Sequence, residues 1–138
     1  MQPCDELKNI VSQNYRDHAS PGGSLEVVRR YYSQQEGVLF VGTDPKEWFK
    51  GYDAIYHYVE STMGGGVEIK MDFLEAWCEG AVGWTVDRII LKLRDGTSVP
   101  IRHTHIFQKE GETWKIVHTH VSAEIPDEKL IELFKQHG

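Results

Sequence analysis

Residues 98–122 decide the fold, and they read SVPIRHTHIFQKEGETWKIVHTHVS. Two runs rich in β-branched and aromatic residues, 98–108 and 113–122, lie on either side of Glu110-Gly111. A Gly-containing pair between two such runs is typical of a tight hairpin turn. The stretch therefore predicts two long antiparallel strands.

The same composition continues upstream. Residues 67–78 and 81–94 are also β-branched and aromatic, and Asp95-Gly96 provides a second turn signal before residue 98. The glycine cluster Gly64-Gly65-Gly66 predicts a turn before the first of these strands. We therefore expect an antiparallel meander of four strands.

Helical periodicity surrounds this meander. Residues 5–18 place apolar side chains on one helical face, Ser24 suits the N-cap of a second helix, and Gly51 opens a third. Val38–Val41 predicts a short buried strand, Glu47-Trp48-Phe49 a short turn or helix, and residues 126–137 a C-terminal helix. The predicted fold class is α+β: a curved antiparallel sheet wrapped around three N-terminal helices into a cone, followed by a short C-terminal helix. We expect one domain over residues 1–138, with its core at about 5–123.

Composition excludes several function classes. The chain has 138 residues and a formal net charge of −6, which argues against nucleic acid or a membrane as its main partner. No apolar run approaches the ~20 residues of a membrane span. Cys4 and Cys78 form no CxxC pair, and the N-terminus has no signal-peptide pattern, so we expect a cytoplasmic protein. The glycine cluster lacks the Lys-Ser/Thr of a phosphate loop, and no cofactor is expected.

Four of the seven histidines lie in the predicted hairpin, as His103, His105, His118 and His120. Residues i and i+2 of a strand share a face, so each pair points one way. A two-residue loop would put all four on one face and allow a metal site. A three-residue loop with Gly111 in the left-handed conformation would put the two pairs on opposite faces. Both turns suit the sequence, and hydrogen-bonded sheet histidines without a metal are the alternative to a metal site.

Arginines and tryptophans supply candidate ligand-binding residues. Arg102 interrupts an apolar strand pattern, which is consistent with either an anion clamp or a structural ion pair. Arg88 lies on the same face of its predicted strand as Trp84 and Val86. It either places a positive charge in the cavity or marks the solvent-exposed end of the strand. Trp48 and Trp84 suit the wall of a cavity or the core. Acidic candidates for pairing with Arg102 are Asp72, Glu75 and Asp87.

Several stretches are similar to one known superfamily. Residues 80–84 read GAVGW, 102–107 read RHTHIF, 111–122 read GETWKIVHTHVS and 41–51 read VGTDPKEWFKG. Together with the order of helices and strands, they resemble the nuclear transport factor 2-like superfamily, in particular its SnoaL-like branch, over about residues 5–123. The resemblance implies a cone with a pocket inside it, and commonly a homodimer formed through the sheets.

The superfamily includes ketosteroid isomerases, polyketide cyclases, dehydratases and binding or assembly modules, so the fold does not define one function. In the ketosteroid isomerase pattern, Tyr15 falls near the oxyanion-hole tyrosine and His103 near the second oxyanion-hole acid. The general-base position falls near Leu39. Because leucine accepts no proton, the resemblance does not predict steroid isomerase activity.

Residues 103–122 are also similar to the end of the association domain of calcium/calmodulin-dependent protein kinase II. That domain has a pocket lined by arginines, two of which fall at His105 and Val121 here. The likeness implies that His105 faces the cavity. We expect His103, Trp84 and Arg88 to face it as well.

These observations predict that the chain binds a small organic molecule in its cone. If it is an enzyme, His105 or His103 is the acid–base group, because the imidazole pKa of ~6.5 lies near neutral pH. Arg88 or Tyr15 would then stabilise an enolate or carboxylate oxygen during an isomerisation, cyclisation or dehydration. A non-catalytic binding or dimerisation module and a metal-dependent enzyme that uses the histidine cluster are the alternatives.

Overall fold

The computed structural model describes residues 1–62, 68–93 and 95–137. The helices in these ranges are α1 (Asp5–His18), α2 (Gly23–Tyr31), α3 (Tyr52–Thr62) and α4 (Asp127–His137). The strands are β1 (Gln2–Pro3), β2 (Leu39–Val41), β3 (Trp48–Lys50), β4 (Glu68–Glu79), β5 (Val82–Lys92), β6 (Ser98–Glu110) and β7 (Thr113–Ala123). The predicted turn at Gly64-Gly65-Gly66 and the predicted strand ends Val67 and Arg94 lie outside the described residues.

The described strands form one sheet in the order β1-β4-β5-β6-β7-β2-β3. The four long strands β4 to β7 form the predicted antiparallel meander, while β2 pairs in parallel with β7. The predicted α+β class, with three helices before the meander and one after it, is confirmed. The prediction of a turn or helix at Glu47-Trp48-Phe49 is wrong, because Trp48–Lys50 pairs with β2 as an edge strand.

Helix α1 packs on the sheet through its apolar stripe. Leu7, Val11 and Tyr15 are buried, as the spacing of apolar residues predicts. The approach of α1 to the sheet depends on Gly83, because a Cβ atom there would lie 2.5 Å from Leu7 Cδ1 and 2.9 Å from the Trp77 carbonyl oxygen. The position and rotation of α1 then fix where Tyr15 projects. None of the helices in the described ranges is long and apolar enough to cross a membrane.

A β-bulge decides which way the histidines point. The β6–β7 turn has two residues, Gly111-Glu112, since Glu110 pairs with Thr113. By itself this turn would put all four histidines on one face. However, Phe107 pairs with Ile116 whereas Ile106 pairs with His118, so Val117 is an extra residue on β7.

The bulge changes which residues of the two strands pair beyond it. Odd-numbered residues of β6 pair with even-numbered residues of β7 near the turn, but with odd-numbered residues after the bulge. His105 pairs with Thr119, and Thr104 pairs with His120. His103 and His105 therefore face the helices, whereas His118 and His120 lie on the opposite face of the sheet, called the outer face below. The two histidine pairs lie on opposite faces, as the three-residue loop would have placed them, although the cause is a bulge.

Candidate functional site

A cavity of about 390 Å³ lies between the helices and the inner face of the sheet. Ligand pockets commonly measure ~300–1,000 Å³, so this cavity is large enough for a small organic molecule. The largest group of its lining residues is aliphatic, including Val27, Val28, Ile55, Val59, Ile69, Ile89, Leu91, Ile101 and Val121. Exposed lining residues, among them Thr43, Thr62 and Leu93, mark where the described wall meets solvent.

Polar side chains gather in one part of this apolar cavity, which we call the polar end. Its lining residues are Asn14, Tyr15, His18, Ser24, Tyr32, His103, His105 and Thr119. Helix α1 contributes the first three, and β6 contributes both histidines of the 103–105 pair. The structure therefore brings together Tyr15, His103 and His105, the three residues for which the sequence suggests an acid–base role.

Asp87 lies behind this lining and joins the three side chains. It is 1% exposed, on β5 directly opposite His103. The Tyr15 hydroxyl donates to its Oδ2 at 2.7 Å, and His103 Nδ1 lies 3.1 Å from its Oδ1. His105 Nε2 is 3.8 Å from Oδ2. A carboxylate accepts hydrogen bonds and does not donate them. The side chains that bond to the two Asp87 oxygens must therefore be the donors.

His105 has a partner at each ring nitrogen. Its Nδ1 lies 2.9 Å from Thr119 Oγ1, and its Nε2 lies 3.4 Å from the Tyr15 hydroxyl. Tyr15 gives its single proton to Asp87, so the Nε2 contact is a hydrogen bond only if His105 donates it. Nδ1 then accepts from Thr119, whose oxygen lies 2.8 Å from the Tyr32 hydroxyl. Each hydrogen bond in this chain is thus donated towards Asp87. Tyr32 donates to Thr119, Thr119 to His105, His105 to Tyr15, and Tyr15 to Asp87.

Burial keeps His105, Tyr15 and Tyr32 uncharged. It lowers the pKa of His105 to about 3. Burial and the Asp87 charge raise the pKa of Tyr15 well above its usual range. Burial also raises the pKa of Tyr32 to about 12. At neutral pH, His105 is therefore a neutral imidazole and both tyrosines keep their protons.

His103 differs from His105 in its accessibility. Its side chain is 14% exposed, against 6% for His105, and the two rings stack with centroids 5.6 Å apart. Asp87 and Tyr15 both contact Nδ1, at 3.1 and 3.2 Å. Nε2 has no hydrogen bond to any described residue. Of the two histidines on β6, His103 is thus the one with a ring nitrogen free for a ligand.

A second histidine, His18, extends the polar end. Its Nδ1 is 2.9 Å from Ser24 Oγ, and its ring stacks on Tyr15 with centroids 6.3 Å apart. Burial lowers its pKa to about 4. Gly23 allows this contact, because a Cβ there would lie 1.8 Å from the Asp17 carbonyl oxygen. Only glycine lets α2 begin so close to the end of α1.

The four ligand-binding residues predicted from the sequence do not line the cavity. Leu91 pairs with Val99, so odd positions of β5 lie opposite odd positions of β6. Trp84 and Arg88 are therefore on the outer face, and Arg88 pairs with Glu124 and Asp72 at 2.6 and 2.5 Å. Arg102 lies opposite Arg88 and is exposed.

Trp48, which the sequence suggests as a ligand-binding residue, does not line the cavity either. It is 62% exposed on the edge strand β3, where its indole N–H donates to the Pro45 carbonyl oxygen at 3.2 Å. A four-histidine metal site is wrong as well, since the two histidine pairs occupy opposite faces. Within residues 1–62, 68–93 and 95–137, no group of three or more His, Cys, Asp or Glu is arranged to hold a metal ion.

Sequence reasoning missed Asp87, His18 and Asn14 as site residues. Asp87 was considered only as a partner for Arg102. The apolar pattern of β5 gives no signal for its inward direction, because Val82, Trp84, Val86 and Ile90 occupy the even positions, whereas the structure buries Thr85, Asp87 and Ile89. His18 and Asn14 are four residues apart on α1, which places them on one stripe with Tyr15.

Comparisons with known proteins agree with this architecture. A family model for the SnoaL-like domain matches residues 13–127. The chain belongs to the SnoaL-like family. The resemblance stated from the sequence is therefore confirmed. No protein with a curated description matches this SnoaL-like chain.

Solved structures share the fold. An NTF2-like protein of unknown function from Pseudomonas putida KT2440 has 17% identity and a TM-score of 0.74, over 91% of this chain and 89% of that chain. A "putative ketosteroid isomerase" from Parabacteroides distasonis ATCC 8503 has 12% identity and a TM-score of 0.71, over 87% and 86%. A "putative calcium/calmodulin dependent protein kinase II association domain" from Xanthomonas campestris has 16% identity and a TM-score of 0.69, over 90% and 95%. At these identities the likeness shows the fold alone.

Proposed function

We propose that this SnoaL-like protein binds a small organic molecule in its cavity and moves a proton next to a carbonyl group. The observation that carries the proposal is the contact between Asp87 and His103 at the polar end of an otherwise aliphatic cavity. An isomerisation, cyclisation or dehydration would each use such a step.

His103 is the proposed acid–base residue. With Nδ1–H donating to Asp87, the neutral ring presents an unprotonated Nε2. That atom takes a proton from the carbon beside the carbonyl, which leaves an enolate and an imidazolium. Asp87 stabilises the imidazolium, and His103 then returns the proton to the carbon or gives it to a leaving group.

His105 and Tyr15 contribute to this step indirectly, by positioning other residues. His105 is a weak base, because burial lowers its pKa to about 3, and both its nitrogens have partners. The Tyr15 proton is directed at Asp87 and is not available to a ligand oxygen. We therefore infer that these two residues hold Asp87 and His103 in position, whereas the sequence suggested that they act on the substrate.

Proton exchange into a neutral ketone tests the proposal. The probe is 2-decalone, a bicyclic ketone of suitable size, incubated with the protein in D₂O while NMR follows the loss of its α-hydrogens. We expect the protein to accelerate exchange, and His103→Gln to lower that rate by ~10²-fold or more. His120→Gln is the matched control on the outer face and should leave the rate unchanged.

Two outcomes would overturn the proposal. One is exchange at the buffer rate although 2-decalone binds in the cavity, which would favour a non-catalytic binding module. The other is an equal rate in the wild type and His103→Gln. Binding is measured separately, from chemical-shift changes at residues that line the cavity.

A further inference from the structure

Asn14 is a buried polar side chain without a partner. It is 5% exposed, it lines the polar end, and its amide makes no hydrogen bond to any residue in the described ranges. An amide offers two donor hydrogens and one acceptor oxygen. Buried polar groups are nearly always hydrogen-bonded, so this amide has a place for a partner that comes from the cavity.

The position of Asn14 directs it towards the same ligand as His103. It precedes Tyr15, whose ring centroid lies 5.8 Å from that of His103, and it is four residues before His18 on the same helix. The His18 ring stacks on Tyr15, with its centroid 6.3 Å from that of Tyr15. A ligand that enters the polar end therefore meets Asn14 on the α1 side and His103 on the β6 side.

The charged residues around the polar end determine whether a charged or an uncharged ligand can bind there. The described lining residues of the cavity include no lysine or arginine, and their single acidic residue is Glu47. The Asp87 carboxyl lies behind the lining, where both of its oxygens already accept hydrogen bonds. A carboxylate or phosphate placed beside Asn14 would lose water without gaining a cation.

We propose that Asn14 binds the carbonyl oxygen of an uncharged, mainly apolar carbonyl compound, and that the cavity rejects the corresponding carboxylates. This inference rests on the proposed function, because it names the substrate class and the oxygen-binding residue of that site. In the proton transfer, the Asn14 amide N–H donates to the oxygen on which negative charge develops. The neutral amide of Asn14 on α1 thus stabilises the enolate oxygen, which is the role that the sequence suggested for Arg88.

Binding measurements on a matched pair of ligands test this inference. The ligands are 2-decalone and decahydro-2-naphthoate, which share a carbon skeleton, titrated near pH 8 and followed by protein NMR. We expect the ketone to bind at least tenfold more tightly than the carboxylate. Asn14→Leu, which keeps the side-chain volume, should weaken ketone binding about fivefold to tenfold.

Asn9→Leu is the control, because Asn9 is exposed on the same helix. Equal affinity of the two ligands, or unchanged ketone affinity in Asn14→Leu, would overturn the inference. Repeating the titration in His103→Gln separates it from the proposed function. If that variant still binds the ketone in an Asn14-dependent way while the wild type gives no exchange, only the proposed proton transfer fails.

Discussion

Asp87 has its whole carboxylate buried, and both of its oxygens accept hydrogen bonds. Replacing it with asparagine keeps the shape but introduces an amide N–H₂ beside the Tyr15 hydroxyl and His103 Nδ1, 2.7 and 3.1 Å from the present oxygens. One donor would then face another donor, and a buried donor without a partner costs about 1–3 kcal/mol.

We therefore predict that Asp87→Asn lowers the free energy of unfolding by about 1–3 kcal/mol, as measured by urea denaturation. Asp72→Asn is the control on the outer face, where the exposed pair with Arg88 should contribute less than about 1 kcal/mol. Equal effects of the two variants would mean that Asp87 does not hold the polar end together.

His18 and His105 make stability depend on pH. Their folded-state pKa values are lowered to about 4 and about 3, whereas an unfolded histidine has a pKa near 6.5. Between these values the unfolded chain binds protons that the folded chain does not. Stability is therefore complete above about pH 6.5 and falls as the pH drops towards 4.

We predict a loss of about 1.4 kcal/mol per pH unit for each of the two histidines in this window, measured by urea denaturation between pH 7 and pH 5. The double variant His18→Asn/His105→Gln should flatten this dependence. A wild type whose stability stays constant over the window would contradict the burial of uncharged histidines.

Local signals explain which site residues the sequence could reveal. Tyr15 lies on the apolar stripe of α1, so helical periodicity predicts its direction. The alternation of His103 and His105 predicts only that they share a face, and the family resemblance implies that this face is the cavity side. Arg88 and Trp84 were assigned to the cavity because the pairing parity across the β5–β6 turn was not known. That parity depends on the geometry of one turn, which composition does not specify.

At the scale of elements, turn signals and strand composition predicted the meander well, because both act over a few residues. The bulge at Val117 was not predictable in this way. Val117 lies between Ile116 and His118, where no glycine or proline marks an irregularity in the strand. The direction of His118 and His120 therefore depended on tertiary structure.

The packing of α1 on β5 gives an element-scale prediction. Gly83→Ala adds a Cβ that would lie 2.5 Å from Leu7 Cδ1 and 2.9 Å from the Trp77 carbonyl oxygen, so both the Leu7 side chain and the local backbone have to shift. We predict a loss of about 1–3 kcal/mol in unfolding free energy. The neighbouring Val82→Ala, at a 49% exposed position, should cost less than about 0.5 kcal/mol.

Thermal or urea unfolding of the two variants provides the comparison. A Gly83→Ala protein as stable as Val82→Ala would show that α1 does not pack on the sheet this closely. Tyr15 would then not be fixed at its present position.

At the scale of the whole molecule, the outer face of the sheet exposes aromatic and apolar side chains. Trp77 and Trp84 stack with ring centroids 6.5 Å apart, and Ile106 is 37% exposed nearby on β6. The family resemblance implies a homodimer through this face, and this stays a prediction. We expect light scattering after size exclusion to give the mass of a dimer, and Trp84→Lys to give that of a monomer.

His57→Lys is the control for that experiment, since the His57 side chain is 77% exposed on α3, a helix that lies on the inner side of the sheet. A wild type that elutes with the mass of a monomer would contradict the prediction. A dimer that persists in Trp84→Lys would place the interface elsewhere.

The central claim is that Asp87 fixes the proton of His103 on Nδ1 and leaves Nε2 free for a ligand in the cavity. Two-dimensional ¹⁵N NMR of the histidine rings near pH 8 measures this directly. We predict that neutral His103 carries its proton on Nδ1, whereas His105 carries it on Nε2. A His103 ring with its proton on Nε2 and a bare Nδ1 would contradict the account.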